Sequence, residues 1–315
     1  MANKRKAQHA SRRRNIAAVY ELQGVAAGAP LQLKWMWHLG ILFACLLNVL
    51  AAAADKPADV YAFGDATLPA PAAVEPGVRF RLLAAGATIA EGTVGETLAI
   101  ETPGVRGRLR ATLAIDGQPD ATVVLLPRDE RDRLADLAVG LNISIVGPAG
   151  NAVDRLLPNA RGVDRPEALR LSRPDAIVVA AGALADVPPG ERAVLSELAA
   201  AGVAVLVLTQ PPGDLFGVRI GDPQAVSLVW KRDALVDRLR RVLAEVDLQP
   251  VRPLALLPAD AGVAVGVAEG DERGAAALRT DDGLILWQLP FDATDARLTL
   301  LLTAFLEGAA EPELP

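Results

Sequence analysis

Five residues of this chain have types and positions that could do chemistry: Asp186, Thr209, Gln210, Gln288 and Asp292. A carboxylate pair such as Asp186 and Asp292 can run glycoside hydrolysis without any other titrating side chain, one acting as acid and the other as base or nucleophile. Thr209, Gln210 and Gln288 can orient or hydrogen-bond a ligand. A plainer reading competes. Asp186 precedes Val187-Pro188-Pro189, and Asp292 precedes a helix expected to begin near Thr294, so either carboxylate can cap a helix or face solvent. Polar residues after a strand are commonly solvated turn residues. The residues that are missing narrow the chemistry further. The chain has two histidines and one cysteine, and none lies beyond His38 and Cys45. Nucleophilic triads take His as their base near neutrality and thiol chemistry takes Cys, so both are excluded from anything folded downstream.

The elements that would position these five residues are legible in the hydrophobic pattern. The run 121–127 (ATVVLLP) is continuously apolar, as a buried parallel strand is, and Leu134, Leu137 and Leu141 then recur at helical spacing. The unit repeats. Strands are predicted over 142–147, 175–182 and 203–210, with a short helix in 149–157 and a helix over 188–202 that starts at proline and stops at glycine. A helix over 231–246 carries Leu235, Leu239, Val242 and Val246 inward and turns Arg238, Arg240 and Arg241 outward as a solvated face. Strands follow at GVAVGVAE, GAAALRT and LILWQLP, the last two joined by a hairpin at Asp281-Asp282-Gly283, and an apolar helix ends the domain at Gly308. This alternation predicts an α/β domain over 121–308, a parallel sheet with helices on both faces, followed by a tail at 309–315. In such sheets ligands bind beyond the carboxyl ends of the strands, where the five residues fall.

Three segments carry a family resemblance: RPDAIVVAAGALADVPPGERAVLSELAAAGVAVLVLTQ (173–210), GLILWQLPFD (283–292) and the helix after it. Together they resemble the class I glutamine amidotransferase-like fold in its non-catalytic form, over about three fifths of the chain. The resemblance implies a flavodoxin-like domain with the nucleophile turn after the strand 203–208 and the catalytic imidazole at the end of the late strand. Here the turn is Thr209-Gln210-Pro211-Pro212 and the late strand ends Gln288-Leu289-Pro290-Phe291-Asp292, with neither thiol nor imidazole. Two prolines also remove backbone N–H donors that an oxyanion hole would use. Amidotransferase activity is therefore not expected.

Upstream, 55–120 is patterned for short strands. Val78, Phe80 and Leu82 alternate, as do Leu109, Ala111, Leu113 and Ile115, between Pro-Gly, Ala-Gly and Asp-Gly turns. This predicts a small antiparallel β-sandwich, immunoglobulin-like and without a disulfide. Residues 1–54 hold seven basic residues against Glu21 alone, so the whole-chain balance of −6 leaves −12 for the remainder. So acidic a folded part argues against nucleic acid as partner. The basic run precedes an apolar stretch, 35–54, long enough to span a bilayer and ending in Ala52-Ala53-Ala54, as a cleavable signal does. Signal peptide and retained anchor both stay open, as does a start at Met36. The twin arginine in Ser11–Asn15 lies about twenty residues ahead of the apolar run, too far for a twin-arginine signal. Leu42-Phe43-Ala44-Cys45 loosely matches a lipobox, though the apolar run continues past it. Beyond residue 55 the only lysines are Lys56 and Lys231, a bias that points to a GC-rich bacterial genome.

The remaining signals are weak. Arg238, Arg240 and Arg241 could bind an anion. Asn142-Ile143-Ser144 fits a glycosylation sequon inside a predicted strand. The glycines of 262–270 lack the strand-turn-helix context of a phosphate loop. Asp129, Glu130 and Asp132 interleave with arginine as a solvated helix start, so no metal or cofactor is expected. Trp230 and Trp287 are expected to be buried or half-buried. The sequence thus predicts a secreted, periplasmic or inner-membrane-anchored protein whose folded part lies outside the cytoplasm. It would act as a non-catalytic binding or assembly module of the bacterial envelope, with an envelope protein or glycan as partner. The alternative is a carboxylate-dependent hydrolase or accessory domain acting on envelope glycans.

Overall fold

A computed structural model describes residues 59–311 except 66, 70–73, 103, 270–273 and 292–293. The apolar stretch 35–54 and Asp292 lie outside the described residues. Among those described, no helix is long and apolar enough to cross a membrane.

The chain from Ala58 onward forms one compact unit built on two sheets. The first comes from β1 (Val60–Phe63), β3 (Arg79–Ala84), β4 (Ala87–Thr93), β6 (Leu109–Ile115) and β7 (Ala121–Leu126), in the order β1-β7-β6-β3-β4. All its pairs are antiparallel except β1 with β7. A two-stranded ribbon of β2 (Thr67–Pro69) and β5 (Thr97–Ala99) covers one face. Leu68 and Leu98 of the ribbon meet Phe80, Leu82, Ala111, Leu113, Val123 and Leu125 of the sheet in a small core. The period-2 alternation of 78–82 and 109–115 is the imprint of that core.

The strand 121–126 corrects the expected layout. Its unbroken apolar run was expected to open the parallel sheet, but β7 lies inside the first sheet, between β1 and β6. The run is apolar because both faces of the strand are covered. Val123 and Leu125 enter the small core, while Val124 and Leu126 join Tyr61 and Phe63 in a second, larger core. Into that larger core pack the helix that follows, α1 (Asp129–Gly140), and the last helix.

The second sheet has eight strands: β8 (Ile143–Val146), β9 (Arg161–Val163), β10 (Ala176–Val179), β11 (Ala204–Val207), β15 (Leu228–Trp230), β17 (Val263–Ala268), β18 (Ala275–Arg279) and β19 (Ile285–Trp287). Their order is β15-β17-β18-β19-β11-β10-β8-β9. The run from β9 to β19 is parallel, and β18, β17 and β15 add an antiparallel wing. Two further ribbons pair β12 (Gly213–Leu215) with β13 (Val218–Ile220) and β14 (Pro223–Gln224) with β16 (Leu254–Ala255). Helices cover both faces, as α2 (Ala152–Leu156) and α5 (Ala296–Ala310) lie on one and α3 (Pro189–Ala200) on the other. The protein is thus mixed α/β, with a mostly parallel eight-stranded sheet and a small, largely antiparallel one.

Local signals account for most helix ends. In α3, Pro189 opens the first turn and Gly202 adopts φ +90° just past the end. The hairpin between β18 and β19 turns at Gly283, φ +91°. Two helices depart from expectation. The helix expected over 231–246 is only α4 (Ala234–Leu239), capped by Asp233, after which the chain turns and makes a short 3-10 helix over Glu245–Leu248. That break carries Asp247 into the core, where it is fully buried. The last helix runs through Gly308 to Ala310. Gly308 is no stop signal: a Cβ there would lie 2.9 Å from Nη1 of Arg238, so the glycine makes room for a guanidinium.

Candidate functional site

The carboxyl ends of the parallel strands bring together two of the five predicted residues. Gln210 follows β11 and is buried. Its side-chain nitrogen donates to the carbonyls of Ala180 (2.9 Å) and Leu208 (2.8 Å), and its side-chain oxygen accepts from the Leu184 N–H (3.0 Å). Its backbone N–H donates to the side-chain oxygen of Gln288 at 3.2 Å. Gln288, fully buried after β19, donates its own backbone N–H to Ala276, and its side-chain nitrogen has no partner among the described residues. Gln210 therefore pins the turn after β10 to the end of β11.

The others stay outside this network. Thr209 is half-buried, and its carbonyl accepts from the Gly182 N–H at 2.8 Å. Asp186 is exposed in the turn after β10. It does not cap α3, whose N-cap position is Pro188. The cap of α5 is Asp295, which accepts from the Arg297 N–H, so the capping role considered for Asp292 falls to a residue the sequence did not single out. One strand further, the loops after β8 and β10 close on each other. At Gly147 a Cβ would meet the Cβ of Ala180 at 2.9 Å.

Because Gln210 satisfies the Leu184 N–H and the Leu208 carbonyl and shares the Ala180 carbonyl with the Ala183 N–H, Gln210→Leu should destabilise the full-length chain by about 3 kcal/mol, with each of the first two groups contributing roughly 1–3 before relaxation. Urea denaturation measures this. A loss below about 1 kcal/mol would mean that water replaces the amide without penalty.

Two polar centres went unseen in the sequence. In the first, Asp247 accepts from the Tyr61 hydroxyl (3.1 Å), from Nη2 (2.6 Å) and Nε of Arg108, and from the Ala244 N–H (2.8 Å). Burial, and then the Asp247 carboxylate, hold the Tyr61 phenol above its ordinary pKa. The hydrogen bond to Asp247 raises that of Arg108. Beside them the buried Arg297 guanidinium lies between the rings of Tyr61 (4.0 Å) and Phe291 (4.6 Å), donates to the Asp247 carbonyl (2.9 Å) and pairs with Asp295. Trp230 and Trp287, both buried as expected, stack at 5.2 Å nearby. This centre ties β1 and the residue ahead of β6 to the 3-10 helix and α5.

The second centre is Glu307 on α5, buried and paired with Arg133 of α1 and with Arg238 and Arg241 at the end of α4. Arg238 also reaches Glu311 at 2.7 Å, and Arg240 pairs with Asp237 and Glu245. The arginines expected to form a solvated face are thus held in an ion-pair network. The sequon fares no better, since Ser144 is fully buried and the Asn142 amide donates to the carbonyls of Ser172 and Arg173. Among the described residues no cluster of His, Cys, Asp or Glu could hold a metal ion.

Compared with known proteins, the chain matches no family model, no curated protein and no solved structure.

Proposed function

We propose that this chain is a non-catalytic binding or assembly module of the bacterial cell envelope. Its small β-layer is read as an immunoglobulin-like sandwich and its α/β layer as a flavodoxin-like, amidotransferase-like scaffold without the catalytic Cys and His. The observation that carries the reading is the Gln210 plug: the strand-end turn, where this architecture would keep its thiol, is tied by its own side chain to three backbone groups. The order of the parallel strands supports the scaffold assignment. With β8 counted first, the sheet runs second, first, third, fourth, fifth across β9, β8, β10, β11 and β19, the order of flavodoxin-like sheets. At the point where that order reverses, where such sheets bind ligands, the loops after β8 and β10 approach each other closely, a Cβ at Gly147 falling 2.9 Å from that of Ala180. The envelope assignment rests on the basic run and the apolar stretch 35–54.

The test is catalytic. Purified full-length protein should release ammonia from glutamine and hydrolyse cell-wall glycan no faster than buffer. Glycan hydrolysis abolished by Asp186→Asn would replace this reading with the carboxylate-dependent hydrolase.

A further inference from the structure

We propose that the notch between α1, α4 and α5 is a recognition site for a carboxylate group. The inference deepens the binding-module reading, on which it rests, by naming the chemistry of the partner. The notch is a cavity of about 30 Å³ whose polar walls are Glu130, Arg133, Arg238, Arg241, Thr303 and Glu307. Both oxygens of the buried Glu307 are already engaged, one by Arg133 and the other by Arg241, with Arg238 at 3.8 Å. One buried carboxylate therefore holds three guanidiniums close together. Arg238 also turns Nη2 to Glu311, whereas Arg133 and Arg241 have no second ion-pair partner among the described residues.

Those two side chains are 48% and 51% exposed, so their unused N–H donors reach the notch and solvent. A guanidinium carries five N–H donors in a planar fork that matches a carboxylate. Two like charges approaching from α1 and from the turn after α4 are also stabilised by a second anion between them. The notch is small, which favours a two-oxygen carboxylate over a four-oxygen phosphate. The opposing influence is Glu130, a second negative wall, together with the net negative charge of the folded part. Recognition here is therefore short-range and weak for a free carboxylate, and gains from the additional contacts of a larger partner.

Full-length protein labelled with ¹⁵N-arginine is titrated with sodium acetate against sodium chloride at constant ionic strength, following the arginine Nε–H signals. The signals of Arg133 and Arg241, assigned by substitution, should shift saturably with acetate and not with chloride. Glu130→Gln leaves the Glu307 pairs intact and should tighten acetate binding severalfold. Arg241→Gln should weaken it about tenfold, the effect of losing one charge-assisted hydrogen bond. Two blocked dipeptides separate the sources of the carboxylate, one carrying it on a Glu side chain and the other at a free C-terminus. Binding by either supports the site and says which source it takes. No saturable shift at tens of millimolar acetate, or no gain in Glu130→Gln, overturns it. If Arg241→Gln unfolds the protein, Glu130→Gln alone decides. Catalysis in the glycan assay would instead strike the binding-module reading and leave the acetate titration unaffected.

Discussion

Replacing Asp247 with alanine is expected to lower the unfolding free energy by about 3–5 kcal/mol, the range for removing one partner of a buried ion pair. The size follows from what is left behind. Asp247 is fully buried and accepts from Tyr61, Arg108 and Ala244. Without it a guanidinium, a phenol and a backbone N–H lose their acceptor together, in a place where the phenol is buried and the guanidinium has only partial access to water. Tyr61→Phe removes a single hydrogen bond and should cost only about 1 kcal/mol. Equilibrium urea unfolding of both variants tests the ratio. Equal losses would mean that Arg108 contributes little and that packing alone holds the junction.

The same centre fixes the behaviour of the protein in alkali. Tyr61 has its phenol pKa raised in the folded state, above the ordinary value near 10. A raised folded-state pKa contributes stability that is present below the unfolded pKa and is lost as pH rises through the folded one. Stability should therefore fall as pH climbs past about 10. In Asp247→Ala, phenolate absorbance should appear at lower pH than in the parent, because one of the causes of the shift is gone while burial remains.

What could be foreseen from the sequence divides along physical lines. The parallel strands 143–146, 176–179 and 204–207 were legible as continuous apolar runs, and the helix 189–200 because it starts at a proline and stops at a glycine. Local signals of that kind do not depend on distant residues. The fate of 121–126 was not legible, since a strand buried between two sheets' worth of side chains and a strand buried in a parallel sheet have the same composition. The helix expected over 231–246 failed for a related reason. Its apolar spacing is helical, but bonds from Arg108 and Tyr61, more than a hundred residues away, bring Asp247 out of that register. At the strand ends, the placement of Gln210 and Gln288 beyond the carboxyl ends of strands followed from the expected sheet, but their contact with each other did not. Nor did their use as a plug, because nothing in a glutamine's neighbours along the chain says which carbonyls it will meet. Arg238, Arg240 and Arg241 read as a solvated face because Glu307, which holds two of them, lies on a helix that is apolar almost throughout.

A fragment limited to residues 55–120, the boundary suggested by the change of period, should not fold. It lacks β7, which stands between β1 and β6, so removing it severs β1 from the sheet and leaves β6 as an open edge. It also takes Val123 and Leu125 out of the small core, which has only about a dozen buried residues to begin with. Extending the fragment to residue 128 restores the strand but not the fold. Tyr61, Phe63, Val124 and Leu126 would then present an apolar stripe to water where α1 and α5 now cover them. Arg108 would face solvent with no carboxylate to meet it. Circular dichroism and urea titration of both fragments should show no cooperative transition, whereas full-length protein unfolds cooperatively. A sigmoidal transition in the 55–120 fragment would mean that the strands 79–115 form a stable sheet unaided and that β7 only docks on it. Failure of both fragments would place the folding boundary where the two cores share a strand: the small sheet is one layer of a single unit, and its stability comes from being buried on the side that alternation in the sequence leaves unmarked.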